Sequence, residues 1–364
     1  MKRGVLVLTI AVLTACSSTA EPAPAPPTSA PASATELSAP SVTGALATDL
    51  QAPWSVVPLS RDRALISQRN SGEVLLLAAG TTTAAGRIDQ VLAAGEGGLL
   101  GLAMADPDAD QVYAYYTAAT DNRVVVFDFD GQRLTNERTV LGGIPKGFIH
   151  NGGRIAFGPD GYLYVATGEI GEPGLAQDRA SLAGKILRIT PKGTPAPSNP
   201  DPQSPVWSWG HRNVQGLAWD SAGRLWATEF GQDDVDELNL IEAGNNYGWP
   251  QCEGPCDEPG TTNPKATWSP TSTSSPSGLA IVDDVAWVAG LRGEALFEIQ
   301  LDGVRAGDPF PWFSGDHGRL RDVIAAPDGG LWVLTNNTDG RGEPGRDDDQ
   351  LLAVDLPALP EPQS

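Results

Sequence analysis

The sequence predicts an all-β chain folded as a six-bladed β-propeller of four-stranded antiparallel blades, and three observations carry that expectation. The first is composition: 42 glycines and 31 prolines, with only 19% charged residues, favour many tight turns over long surface helices. The second is a recurring unit, a polar turn, often Asp-Gly, followed by an alternating strand that ends in Thr, Gly or Ser. It appears as RDRALISQ (61–68), ADQVYAYYT (109–117), PDGYLYVATG (159–168), SAGRLWATE (221–229), DDVAWVAG (283–290) and PDGGLWVLT (327–335). The starts lie about 45 to 60 residues apart, the spacing expected when each copy is one strand of a four-stranded blade. The third is that no ten-residue stretch of the body of the chain shows helical periodicity, which disfavours parallel βαβ architectures. A pair of sandwiches would not explain the even recurrence. A closed ring protects strand edges and leaves a central channel whose mouth, lined by loops, is where a ligand belongs.

Before the first unit comes an export segment. Met1-Lys2-Arg3 is a short basic start, and Val5 to Leu13 is an apolar run too short to span a bilayer, so residues 1–15 read as a signal peptide. Leu13-Thr14-Ala15-Cys16 has the form of a bacterial lipobox, which makes Cys16 the expected lipidated N-terminus of the mature chain. A lipoprotein carries at least two acyl chains, enough for stable anchoring. From Ser17 to about Pro40 the chain is almost entirely Ser, Thr, Ala, Pro and Glu, a composition that cannot bury enough apolar surface to order itself and serves as a tether. The propeller is expected over 41–357, with 358–364 a tail. The expected location is outside the cytoplasm, lipid-anchored on the outer face of the bacterial cytoplasmic membrane or in the periplasm.

A formal charge of −21 from 24 basic and 45 acidic residues excludes a nucleic-acid partner, because phosphate binding needs a Lys/Arg field. Setting Cys16 aside, Cys252 and Cys256 remain, in QCEGPCDEP. An export compartment permits a short-loop disulfide between them. A metal pair is disfavoured, since no His or third Cys lies nearby.

Three segments join unusual polar residues to glycine beside the repeated strands, and all three histidines fall in them. In HNGGRIAFGPDGYLYVATGEIGEPGLAQD (150–178), His150 precedes Gly152-Gly153, where a bare backbone would let a substrate approach the imidazole. The alternative is a structural hydrogen-bonding histidine. In WGHRNVQGLAWDSAGRLWATEFGQDDVDELNLIEAGNNYGWP (209–250), glycine turns sit beside Asp233, Asp234, Asp236 and Glu237. Oxygen donors of this kind suit Ca²⁺ better than zinc; a solvated acidic loop is the bland alternative. In HGRLRDVIAAPDGGLWVLT (317–335), Arg319 and Arg321 alternate along an extended segment and project to one side, as a bound polyanion would require and as surface ion pairing would also explain.

Together these segments resemble the PQQ-dependent soluble aldose sugar dehydrogenases, also called the glucose/sorbosone dehydrogenase family, from about Ala52 to Val354. The likeness runs in order through APWSVV (52–57), GEGGLLGLA (95–103), HNGGR (150–154), GHRNVQGL (210–217), EFGQDDVDELNLIEAGNNYGWP (229–250), GLRGEALFEI (290–299) and GRLRDVIAAPDG (318–329). The resemblance implies a six-bladed propeller, pyrroloquinoline quinone (PQQ) at the channel mouth and catalytic calcium. It places His150 as general base, Glu169 as the acid that orients it, and Arg212 with Asn213 at the quinone oxygens. Glu96 stands where relatives place Gln near the cofactor, Arg292 where some have Lys, and Arg319 and Arg321 form the cofactor clamp. Gly231 and Gln232 match a turn whose carbonyls hold the catalytic Ca²⁺, while Glu237 and the Tyr247 carbonyl resemble a second, structural calcium site. A threonine contact falls on Thr271 or Thr273.

The implied reaction oxidises an aldose at C1 to its lactone: a proton leaves the C1 hydroxyl for neutral His150, since imidazole titrates at about 6.5, and a hydride goes to the quinone. Two electrons then pass singly to an external acceptor, quinone or cytochrome-like. Phe230-Gly231-Gln232 departs from the Gln-Gly-Pro of the glucose-oxidising branch, and the Cys252–Cys256 stretch stands where relatives place an aromatic cofactor contact. Propellers host unrelated functions, so a non-catalytic binding module at the cell surface is the rival reading. A calcium-dependent lactonase would instead need carboxylates converging on the channel axis.

Overall fold

The computed structural model describes residues 39–357; the signal peptide, Cys16, all but the end of the tether and the 358–364 tail lie outside them. The described chain forms six antiparallel sheets arranged as the blades of a propeller. The innermost strands run Pro53–Ser60, Leu99–Ala103, Ile155–Phe157, Val214–Trp219, Pro276–Val282 and Leu320–Ala325 in blades one to six. Each neighbours the next around the axis. Among the described residues the only helical elements are two 3-10 turns, Pro173–Ala176 and Thr271–Thr273, and no helix is long and apolar enough to cross a membrane.

Each recurring sequence unit is the second strand of its blade: Arg63–Gln68, Gln111–Thr117, Leu163–Ala166, Leu225–Glu229, Val285–Gly290 and Leu331–Thr335. The polar turn before it is the hairpin from the innermost strand. These strands are buried on both faces because each sheet is sandwiched between neighbours. Val112, Ala114 and Tyr116 face the cluster shared with blade one, and Tyr113 and Tyr115 face the cluster shared with blade three, as a side-chain period of two requires. Six such apolar clusters occur, one at each blade interface. Fully burying one Leu or Val contributes about 1.5–3 kcal/mol, so the ring is held by its interfaces and not by any single blade.

Closure is made by the chain's two ends. Ser41–Ala47 pairs antiparallel with Leu351–Asp355 and supplies the outer strand of blade six. Blade five departs from four uniform strands. Its outer position is divided between Arg305–Ala306 and Phe310–Trp312, both paired with Leu296–Asp302. The break falls at Gly307, and Pro309 and Pro311 carry no N–H to continue a regular ladder.

Candidate active site

The candidate residues gather at one end of the channel for a topological reason. The loops entering the innermost strands and the loops leaving the second strands open on the same face. The first set carries Glu96, His150, Arg212, Asn213 and Arg319; the second carries Glu169, Gly231, Gln232 and Arg292.

His150 sits in the loop before Ile155–Phe157, in the left-handed region at φ 54°, a conformation that costs a non-glycine residue about 1–2 kcal/mol. The surroundings over-determine it. Its amide donates to Glu96 Oε2 at 2.8 Å, the buried Tyr115 hydroxyl donates to the Asn151 carbonyl at 2.8 Å, and Asn122 Nδ2 donates to Asn151 Oδ1 at 3.0 Å. The His150 side chain is 12% exposed, and its Nδ1 contacts Glu169 Oε1 on a side chain only 1% exposed. In the neutral imidazole, a carboxylate at Nδ1 selects the tautomer with its proton there and its lone pair on Nε2. Glu169 is held by its amide on the Arg212 carbonyl, 2.8 Å, and its Oε2 is buried without a partner among the described residues.

The glycines after His150 do something other than admit a substrate. A Cβ on Gly152 would lie 2.5 Å from Thr167 Cα, and one on Gly153 2.5 Å from the Leu100 side chain. Both are needed because backbone and neighbouring blades already fill that space. Gly168 serves the same end, since its Cβ would fall 2.0 Å from the His150 carbonyl oxygen.

Beside this pair lies a concentration of buried cations. Arg321 Nη1 donates to Gln215 Oε1 and Ser277 Oγ at 3.0 and 3.1 Å, and the guanidinium lies 5.4 Å from the Trp54 ring centroid. Burial, with Arg69 and Arg319 nearby, pushes it down to about 9 against the opposing pull of Asp339, which still leaves it charged at neutral pH. Arg319 pairs with Asp339 at 3.2 Å. Arg212 stacks 5.4 Å from Trp249 and donates to the Phe230 carbonyl at 3.2 Å. The Nε atoms of Arg212, Arg319 and Arg321 are buried with no partner among the described residues. Such donors are costly when unmet, and an anionic ligand would meet them.

Other expected residues are less directly placed. Asn213 Oδ1 accepts from the Gly152 amide and from Gln215 Nε2, both at 3.1 Å, so it braces the His150 loop. Arg292 is exposed on the rim, with its amide on the Ser274 carbonyl at 3.1 Å. Thr271 is buried, while the Thr273 hydroxyl caps the Pro270 carbonyl at 2.7 Å. His211 is a buried structural residue between Ser208 Oγ at 2.9 Å and Glu229 Oε2 at 2.8 Å.

Glu237 and Tyr247 line a small pocket with Arg212, Glu229 and Glu253. Glu237 lies opposite Glu229 across the sheet, and burial reinforced by Glu229 pushes its carboxyl up to about 8. Among the described residues no three acidic, His or Cys side chains converge on one metal position. The carbonyls of Gly231 and Gln232 accept no hydrogen bond among the described residues, which leaves them available as oxygen donors. Cys252 and Cys256 are disulfide-bonded.

Sequence reasoning assigned no role to Trp54, Arg69, Gln215 or Arg341, which line the same cavity as Glu96 and Arg321. It also missed the ion pair of Arg341 with Glu96 at 3.1 Å. Arg69 had a usable signal: it follows the first recurring unit directly, as Glu169 follows the third and Phe230 the fourth. Arg341 had none, because its partner lies 245 residues away.

Known proteins resemble the chain over most of its length. The structure of the PQQ-bound form of aldose sugar dehydrogenase from Streptomyces coelicolor is 50% identical, with a TM-score of 0.85 over 88% of this chain and 98% of that one. An uncharacterized protein of Synechocystis, slr1608, is 33% identical over 80% of this chain and 83% of its own length. The aldose sugar dehydrogenase YliI of Escherichia coli is 29% identical over 81% and 90%. The profile of the glucose/sorbosone dehydrogenases matches residues 50–345, and the chain belongs to that family.

Proposed function

We propose that this chain is a PQQ-dependent aldose sugar dehydrogenase that works with calcium and oxidises the sugar at C1 to a lactone. The observation that carries the reading is three arginines, Arg319 and Arg321 buried and Arg212 half-buried, whose buried Nε atoms have no partner among the described residues, beside a carboxylate-held histidine. PQQ is a tricarboxylate, and it fits a cavity whose donors are cationic and unmet. Calcium fits a turn with two free carbonyls, Gly231 and Gln232, next to carboxyls that burial disfavours in their charged form; Glu237 with the Tyr247 carbonyl is the second candidate position.

When bound, PQQ supplies an electrophilic quinone carbon that accepts hydride from sugar C1, and Ca²⁺ supplies the Lewis acidity that polarises it. His150 Nε2 takes the C1 hydroxyl proton. Glu169 holds the ring in that tautomer and offsets the charge the imidazole gains. Arg319 and Arg321, with Arg69 and Arg341, would hold carboxylates, Arg212 would supply charge to the quinone oxygens, and Asn213, which braces the His150 loop, could offer them its side-chain amide. Glu96, tied to the His150 amide, sets the position of the base, and Arg292 contributes charge at the rim. The electrons leave singly to an external quinone or cytochrome-like acceptor. Export behind a signal peptide, with lipidation at Cys16, would hold the propeller outside the cytoplasmic membrane or in the periplasm.

The test adds PQQ and Ca²⁺, separately and together, to chelator-treated protein and follows dye reduction with glucose and other aldoses. Activity is expected only with both. Binding of PQQ without turnover of any aldose would favour the binding-module reading, and no PQQ affinity at all would end the proposal.

A further inference from the structure

The disulfide loop takes no part in the chemistry above, yet it reaches directly into the turn read as the calcium site. Glu253, between Cys252 and Cys256, directs its Oε1 into a nest of four consecutive backbone amides: Gln232 at 2.7 Å, Asp233 at 2.9 Å, Asp234 at 2.8 Å and Val235 at 3.2 Å. Successive amides aimed at one point make an anion-binding concavity. One carboxylate oxygen therefore gathers the amides of 232–235, while the Gly231 amide donates to Asp236 Oδ1 at 2.8 Å. The neighbouring residue extends the grip, because the Gly254 amide donates to Glu237 Oε1 at 2.7 Å. The turn itself has no room to relax: a Cβ on Gly231 would meet the Val235 carbonyl oxygen at 1.8 Å and Glu253 Oε1 at 2.7 Å.

The consequence concerns the carbonyls. When the amides of a tight loop are drawn to one side, its carbonyls are turned away from that side, and those of Gly231 and Gln232 are left without hydrogen-bond donors among the described residues. We propose that Glu253, presented by the Cys252–Cys256 loop, is a positioning residue that presets the Gly231–Gln232 carbonyls for calcium without binding the ion itself. The inference rests on the calcium reading of that turn. It gives the disulfide a function: tying the loop ends together holds Glu253 against the nest.

The experiment measures the free Ca²⁺ concentration at half-maximal PQQ binding, by PQQ absorbance, for wild type, Glu253→Ala, Glu253→Gln and the double variant Cys252→Ser/Cys256→Ser. Amide exchange of the 232–235 loop in chelator is followed in parallel. Outer partners of metal ligands typically govern affinity by about 10–100-fold, so E253A should weaken Ca²⁺ by about tenfold or more and speed exchange of the four amides. E253Q, which keeps a carbonyl acceptor, should restore most of both. The cysteine double variant should shift in the direction of E253A. Equal loss in E253A and E253Q with exchange slow in E253Q would make Glu253 a direct ligand and overturn the proposal, as would unchanged Ca²⁺ affinity in E253A. Unchanged affinity in the cysteine variant would overturn the disulfide's part. If wild-type PQQ binding shows no Ca²⁺ dependence, the calcium reading itself fails, an outcome distinct from all of these.

Discussion

At the scale of single residues the site is built from groups that constrain one another. His150 occupies an unfavourable backbone conformation because Glu96 holds its amide and Glu169 its ring. Replacing His150 by Ala removes the proton acceptor but none of the cations, so PQQ affinity should persist while the dye-reduction rate falls at least about 10²-fold; a retained rate would assign the base elsewhere. Glu96 carries a pH signature. Burial raises its carboxyl, but the His150 amide and Arg341 outweigh burial and hold it below the usual 4.5. A carboxyl lowered in the folded state stabilises the fold above its unfolded value, and that contribution disappears as pH falls through the lowered one. Thermal midpoints of cofactor-free protein measured from about pH 6 to about pH 3 should therefore drop more steeply for wild type than for Glu96→Gln, with the two converging at the acid end. Parallel curves would show that the His150 amide and Arg341 do not lower the Glu96 carboxyl.

At the scale of elements the recurring hairpin explains both the fold and the place of function. A second strand buried on both faces needs apolar residues at successive positions, which is why these segments stand out of a glycine-rich sequence. Its C-terminal end opens on the channel mouth: Arg69, Phe230 and Leu291 directly follow it in their blades, and Glu169 comes three residues after it in blade three. The closing strand Ser41–Ala47 is different: its burial is low along most of its length, and its weak pattern gave no sign of pairing with Leu351–Asp355. Removing residues through Ala47 leaves blade six with three strands and an open edge. Its expected effect is a fall in Tm of about 5 °C or more, read by thermal denaturation; an unchanged Tm would mean that the clusters alone close the ring.

At the scale of the whole molecule, a protein of net charge −21 concentrates Arg69, Arg154, Arg319 and Arg321 at its axis, close enough that their mutual repulsion helps depress Arg321. Arg154 pairs with Asp322 at 3.0 Å across the ring and lies 4.5 Å over Trp54, so one acid on the axis is committed to an ion pair. That arrangement suits an anionic ligand at the mouth and is unlike the converging carboxylates a lactonase would need. Blade number, the second strands and the family were legible in the sequence, because a period of two and a recurring turn are local properties written into consecutive residues. What only the tertiary structure decided were relations between distant segments: the Glu96–Arg341 pair, the grip of Glu253 on a loop about twenty residues earlier and the closure of the ring by its two ends. It also reversed the reading of Gly152 and Gly153, from an open approach to a close packing contact. The physical reason is that steric space and electrostatic partnership depend on which atoms occupy a volume, and chain closure brings those atoms together irrespective of their order in the sequence.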